Sequence, residues 1–232
     1  MTQVIPSPLD AVIFDMDGLL LDTETLYRDA SFRACAALGL ELTDAVHLSL
    51  IGTPKEVGDA LLVAHFGETF EISSFDRSCN EHFEDLCRNG IPLKRGAGAL
   101  LDLLKEQRIP CAVATSTSRP TAEKHLKRAG VLDRLDALVT RTDVVSGKPD
   151  PETFLKAAAA LKARPGHCLA LEDSFNGVRA ASAAGMATIM IPDLLTPTED
   201  IRRWCAAVWP SLADVTRELQ SRIEQRDRPR SW

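Results

Sequence analysis

The sequence predicts an α/β protein, with a parallel sheet covered by helices on both faces and a helical module inserted after the first strand. Three observations carry this. Five short apolar runs read as buried strands: AVIF (11–14), CAVA (111–114), DALV (136–139), CLAL (168–171) and ATIMI (187–191). From residue 92 onward these runs alternate with helical patterns, and strands that are apolar throughout belong to a parallel sheet buried on both sides. The stretch from 24 to 91, in contrast, has helical spacing and no convincing strand.

The elements follow in order. GALLDLLKEQ (98–107) precedes CAVA. TAEKHLKRAG (121–130) follows it, with Gly130 as the C-terminal stop. ETFLKAAAALKA (152–163) precedes CLAL, and NGVRAASAAG (176–185) precedes ATIMI and stops at Gly185. In the inserted stretch, Thr53-Pro54-Lys55-Glu56 reads as a capping box with proline at the first helical position. Val57, Ala60, Leu61 and Ala64 supply the expected apolar stripe, with Gly67 as stop. A further helix is expected from Ser73 or Ser74 to about Gly90. The division is therefore a core of 1–23 and 92–232 with an inserted module of 24–91. The polar tail SRIEQRDRPRSW is expected to fray.

Composition bounds the function. The 232 residues are 45% hydrophobic and 26% charged, which excludes wholesale disorder, a collagen-like chain and a coiled-coil rod. The net charge is −6. No basic stripe is available to neutralise a phosphate backbone, so no nucleic acid partner is expected. Residues 24–91 carry five Lys/Arg against twelve Asp/Glu, so an acidic module is inserted into a near-neutral core. No apolar run nears the ~20 residues that span a bilayer, so no membrane association is expected. MTQVIPSPLD has neither the basic nor the apolar part of a leader. The six cysteines form no C-x-x-C pair and read as buried thiols of a reducing, cytoplasmic setting. The five histidines lack ligand spacing, which argues against zinc.

The chemistry is written at strand ends. AVIF runs into Asp15-Met16-Asp17-Gly18. Two carboxylates two positions apart point the same way if the chain stays extended. Such a pair calls for a cation between them or a proton on one, hence a metal site or a nucleophile with an acid/base partner. CAVA runs into Thr115-Ser116-Thr117-Ser118, which suits phosphate oxygens or caps the next helix. CLAL runs into Glu172-Asp173, a second acidic pair or the cap of the following helix. Lys148 lies in Gly147-Lys148-Pro149-Asp150-Pro151, held out of helix by its prolines, as a site residue or a solvated one. A carboxylate nucleophile, a second carboxylate, a hydroxyl, a lysine and an acidic anchor together fit phosphoryl transfer.

FDMDGLLLDTE, VATSTS, SGKPDP and LEDSFNGVRAASAAGM resemble the four ordered motifs of the haloacid dehalogenase (HAD) superfamily, in its capped phosphatase and phosphohexomutase (β-phosphoglucomutase-like) branch. The resemblance extends to about residue 193. It implies a Rossmann-like core with a helical cap, and a phosphatase of a small phosphorylated metabolite such as a sugar phosphate or nucleoside monophosphate. It also implies roles. Asp15 would form an aspartyl-phosphate, and Asp17 would serve as acid and base. Thr115 and the N–H of Ser116 would hold the phosphoryl group, and Lys148 would orient Asp15. Asp173, aided by Glu172, would hold Mg2+ with Asp15 and the Asp17 main-chain carbonyl. Lys55 is the expected cap contact to substrate, and a monomer or weak homodimer is expected. A hexose-phosphate mutase is the alternative, although Tyr27 stands where mutases of this branch commonly carry histidine. A phospho-receiver signalling module is the non-enzyme alternative, against which length and the inserted cap argue. A dehalogenase lacks the second aspartate and the metal.

Overall fold

A computed structural model of the chain describes residues 4–51, 53 and 55–227. It divides into two compact units, one of Met1–Leu21 with Leu93–Trp232 and one of Asp22–Pro92. Among the described residues the α-helices are α1 (Thr23–Ala37), α2 (Asp44–Leu50), α3 (Lys55–Phe66), α4 (Ile72–Leu86), α5 (Ala97–Glu106), α6 (Arg119–Arg128), α7 (Glu152–Ala160), α8 (Phe175–Ala183), α9 (Glu199–Arg202) and α10 (Leu212–Asp227). The strands are β1 (Ala11–Phe14), β2 (Cys111–Ala114), β3 (Ala137–Val139), β4 (Cys168–Glu172), β5 (Ala187–Met190) and β6 (Ala207–Val208).

All six strands belong to the first unit and form one parallel sheet in the order β3-β2-β1-β4-β5-β6. This is the α/β, Rossmann-like core that the apolar runs predict. Every residue of β1, β2 and β4 is buried, because helices cover both faces and leave no solvent side for alternation. Ile13 sits in register between Ala112 and Ala170, and small residues at these positions let the covering helices approach. Phe154, Ala157 and Ala158 of α7 and Ala180 and Ala181 of α8 close one such layer. Chain order runs outward from β1 in both directions, so the strand order reverses between β1 and β4. Open α/β sheets bind ligands at such a point.

Three differences from the sequence reading have physical causes. β6 is a two-residue edge strand, too short to leave a pattern. The tail is helical through Asp227 instead of frayed, and only 228–232 lie outside the described residues. α10 buries Leu212, Val215 and Leu219, and Arg222 donates to the Ile5 carbonyl at 2.5 Å. The third difference lies in α3, described below.

The second unit contains α1 to α4. Ala34, Cys35, Leu42, Leu62, Phe70 and Phe75 form its core. α1 packs on α4, with the rings of Tyr27 and Phe83 stacked at 4.0 Å. The expected stripe of α3 is reversed. Val57, Ala60, Leu61 and Ala64 are all exposed, and the helix buries Gly58 and Leu62 instead. Two faces of this helix are apolar, and Phe66, Phe70 and Phe75 sit on the Leu62 side. The Thr53 hydroxyl donates back to the Leu50 carbonyl at 2.7 Å, closing the end of α2. Pro54, expected at the first helical position, lies outside the described residues. Gly67 ends α3 with φ +97°.

Candidate active site

Asp15 follows β1 while its N–H still donates to the Leu171 carbonyl at 2.9 Å. Met16 is fully buried, so the extended alternation sends Asp15 and Asp17 away from the core. Gly18, with φ +78°, then turns the chain, and its N–H donates to the Leu21 carbonyl. Lys148 arrives on a loop whose backbone is tied down: Glu152 accepts the N–H groups of Val145 and Ser146 at 2.9 and 2.8 Å. The Lys148 ammonium donates to Asp15 Oδ1 and to Glu172 Oε1, both at 2.5 Å. It lies 4.9 Å from the centre of the Phe154 ring and its side chain is 4% exposed.

Glu172 ends β4 fully buried. Its second oxygen accepts from the N–H groups of Asp173 and Ser174 and from the Ser174 hydroxyl, at 3.0–3.1 Å. The positive end of α8 and Lys148 thus share one carboxyl group, and both its oxygens find donors where burial denies them water. Ser174 caps α8 through the Gly177 N–H. Gly177 is required by packing, since a Cβ there would stand 1.7 Å from Glu172 Oε1.

Thr115 is buried after β2, with its N–H on the Val139 carbonyl at 2.9 Å, and its hydroxyl oxygen accepts the Thr117 N–H at 3.0 Å. Ser116 beside it is exposed. The Thr117 hydroxyl donates to Asp17 Oδ2 at 2.7 Å. Thr117 is a residue the sequence reading left out of the site; its place in the hydroxyl run at a strand end was the available signal.

One oxygen each of Asp15, Glu172 and Asp173 lies within 4.8 Å of the others. The Asp17 carboxylate is not in this group and is turned to Thr117. Burial is the main force that pushes the Asp15 carboxyl up, to about 8, with Glu172 and Asp17 adding to it against the pull of Lys148. Lys148 is raised: burial alone would lower it, but Asp15 and Glu172 outweigh that. The site thus gathers three carboxyl groups around one lysine, in a donor set made only of oxygen. Such a set fits a hard divalent cation.

A family model for haloacid dehalogenase-like hydrolases matches residues 9–185. The chain belongs to that family. Within it, the chain is similar to the phosphorylated carbohydrates phosphatase of Thermotoga maritima, 33% identical over 181 residues that cover 78% of this chain and 84% of the relative. It is also similar to β-phosphoglucomutase of Bacillus subtilis, 31% identical, covering 78% and 82%. Among solved structures it resembles CbbY of Rhodobacter sphaeroides in complex with phosphate, with a TM-score of 0.72, 30% identity and 89% and 96% of the two chains covered. The chain is thus a hydrolase of this family. No helix among its described residues is long and apolar enough to cross a membrane.

Asp15, Asp17, Thr115, Ser116, Lys148, Glu172 and Asp173 all stand at carboxyl ends of β1, β2 and β4 or on the loop before α7. Lys55 belongs to the other unit. It is not the unmatched cation that the acidic composition suggests: its ammonium is held by Asp59 at 2.9 Å and Asp76 at 2.8 Å. Sequence alone did not reveal this, because Asp76 is 21 positions away on α4.

Proposed function

We propose that this hydrolase is a Mg2+-dependent phosphatase of small phosphorylated metabolites, of the phosphorylated-carbohydrate or nucleoside-monophosphate kind, working through an aspartyl-phosphate. The observation that carries this reading is the clamp on Asp15: Lys148 takes Oδ1 at 2.5 Å and leaves Oδ2 to attack phosphorus. Asp15 Oδ2 forms the new bond to phosphorus as the bond to the leaving oxygen breaks. Asp17 gives that oxygen its proton. Asp17, now a carboxylate, takes a proton from water; the water oxygen attacks phosphorus, and the Asp15–phosphorus bond breaks to free phosphate. Thr117 orients Asp17 during both transfers. Thr115 and the N–H of Ser116 receive the phosphoryl oxygens. Asp15, Asp173 and the main-chain carbonyl of Asp17 would hold Mg2+, which would supply positive charge against the phosphoryl oxygens. Glu172, with both oxygens engaged, holds Lys148 and α8 in place.

The likeness to a β-phosphoglucomutase raises the mutase reading. It requires a group on the cap that moves protons near neutral pH. At the position in question stands Tyr27, stacked on Phe83, and a phenol with an ordinary pKa of about 10 is a poor substitute for an imidazole. The test is phosphate release from a panel of sugar phosphates and nucleoside monophosphates, by wild type and by Asp15→Asn. Hydrolysis by wild type and none by Asp15→Asn is expected. Conversion of one hexose phosphate to its isomer without phosphate release would replace this reading with the mutase.

A further inference from the structure

Beside the acidic group lies a carboxylate that neither the motifs nor the family likeness assigns. Asp193 follows β5. Its Oδ1 receives the Lys94 ammonium at 2.7 Å. Its Oδ2 is buried and has no hydrogen-bond partner among the described residues. A Cβ built on Gly18 would lie 2.6 Å from Asp173 Oδ2 and 3.3 Å from Asp193 Oδ2, so both carboxylates crowd the same turn. A polar oxygen withheld from both protein donors and solvent is costly. A surface ion pair would not be built this way: the side chains of Lys94 and Asp193 are only 24% and 13% exposed.

The pair is also anchored to the parts of the site it adjoins. The Lys94 N–H donates to the Leu20 carbonyl at 3.1 Å, and Leu93 pairs with Leu21, so Lys94 grows from the loop that Gly18 opens. The Ile191 N–H donates to the Glu172 carbonyl at 2.7 Å, which ties the approach to Asp193 to the residue before Asp173. Lys94 therefore occupies one oxygen of Asp193, and the other lies at the Gly18 turn that Asp173 also crowds.

We infer that Asp193 is a positioning residue of the cation site: its buried Oδ2 accepts hydrogen bonds from the water shell of a divalent cation held by Asp15 and Asp173, while Lys94 takes the other oxygen and offsets part of the carboxylate's charge. The inference rests on the metal reading above. Partners behind a metal's direct ligands commonly change its affinity 10- to 100-fold.

The experiment is Mn2+ binding to the metal-stripped full chain, followed by the electron paramagnetic resonance signal of free Mn2+, with melting temperature recorded for each variant. Wild type should bind Mn2+ saturably. Asp193→Asn should weaken binding about ten-fold or more. Lys94→Met should tighten it, because it breaks the same ion pair but adds net negative charge. A merely structural pair would make the two variants fail alike, and equal weakening overturns the inference. So does unchanged binding in Asp193→Asn. Should that variant fail to fold, Lys94→Met decides alone: binding tighter than wild type supports the role, and equal or weaker binding overturns it. If wild type binds no Mn2+, the metal reading falls and this inference with it. If wild type binds and Asp193→Asn is unchanged, only the inference falls.

Discussion

Two lysines in this chain do the same thing in different surroundings. Lys148 bridges Asp15 and Glu172 in the sheet-bearing unit, and Lys55 bridges Asp59 and Asp76 in the helical unit. Each ammonium sits between two carboxylates at hydrogen-bond distance. Lys148 is 4% exposed and Lys55 60%. Water solvates the ions around Lys55 about as well as they solvate each other, so that pair of contacts contributes little. Around Lys148 there is no such substitute, so its partners depend on it. Burial rather than partner count separates a site from a decorated surface.

The largest effect should come from Lys148→Met. It strands two buried carboxylates, which typically costs about 3–5 kcal/mol, and turnover should fall at least 100-fold. Urea unfolding followed by tryptophan fluorescence reads the first directly, since Trp204 and Trp209 lie in the same unit as Lys148. A loss below about 1 kcal/mol would put Lys148 in the same class as Lys55 and dissolve the contrast.

Gly177→Ala comes next. The added methyl meets Glu172 at 1.7 Å, and overpacking of this kind costs about 1–3 kcal/mol. Because Glu172 must move, phosphate release should drop with it. Gly39→Ala in the helical unit is the control. Nothing lies within 4 Å of its added methyl, and its φ of +73° brings a strain of about 1–2 kcal/mol. Activity should survive there. Loss of activity in the control but not in Gly177→Ala would reverse the argument.

The helical unit should respond to mild acid through His47. Burial, helped by the charge of Arg28, lowers its pKa below the ordinary 6.5, and neither ring nitrogen has a partner among the described residues. The native ring is neutral, and the unfolded chain takes up the proton first. Stability from this residue is complete above pH 6.5 and is lost as the pH falls below it. Melting temperature by circular dichroism should decline from pH 7 to 5 less steeply in His47→Phe than in wild type. Identical slopes would remove His47 as the cause.

Lys55→Ala should be the mildest, about 0.2–1 kcal/mol, reduced further by salt. KM for the best substrate of the panel should barely change. A several-fold rise in KM would return Lys55 to substrate contact.

The first five strands were legible because a buried parallel strand must be apolar along its length, and AVIF, CAVA and CLAL are little else. The acidic and hydroxyl residues at their ends were legible for the complementary reason: polar groups at those points interrupt what burial would otherwise require. α3 was misread because its sequence is apolar on two faces, and only the aromatic cluster of Phe66, Phe70 and Phe75 decides which is buried. Lys94 and Asp193 left no trace, being 99 positions apart and outside any motif. α10 was readable from Leu212, Val215 and Leu219, but a charged surface masked the stripe.

The placement of β1 between β2 and β4 has a consequence during synthesis. Lys148 lies 133 residues beyond Asp15. At translation speeds of about 5–20 residues per second, Asp15 waits roughly 7–27 seconds for its counter-ion. Its strand waits longer for β4, which closes the other edge. During that interval AVIF keeps its β4 edge unpaired next to two acidic residues, and those charges discourage that edge from pairing with another nascent chain. Ribosome-bound chains released before residue 148 should therefore aggregate faster when Asp15 and Asp17 are both replaced by alanine.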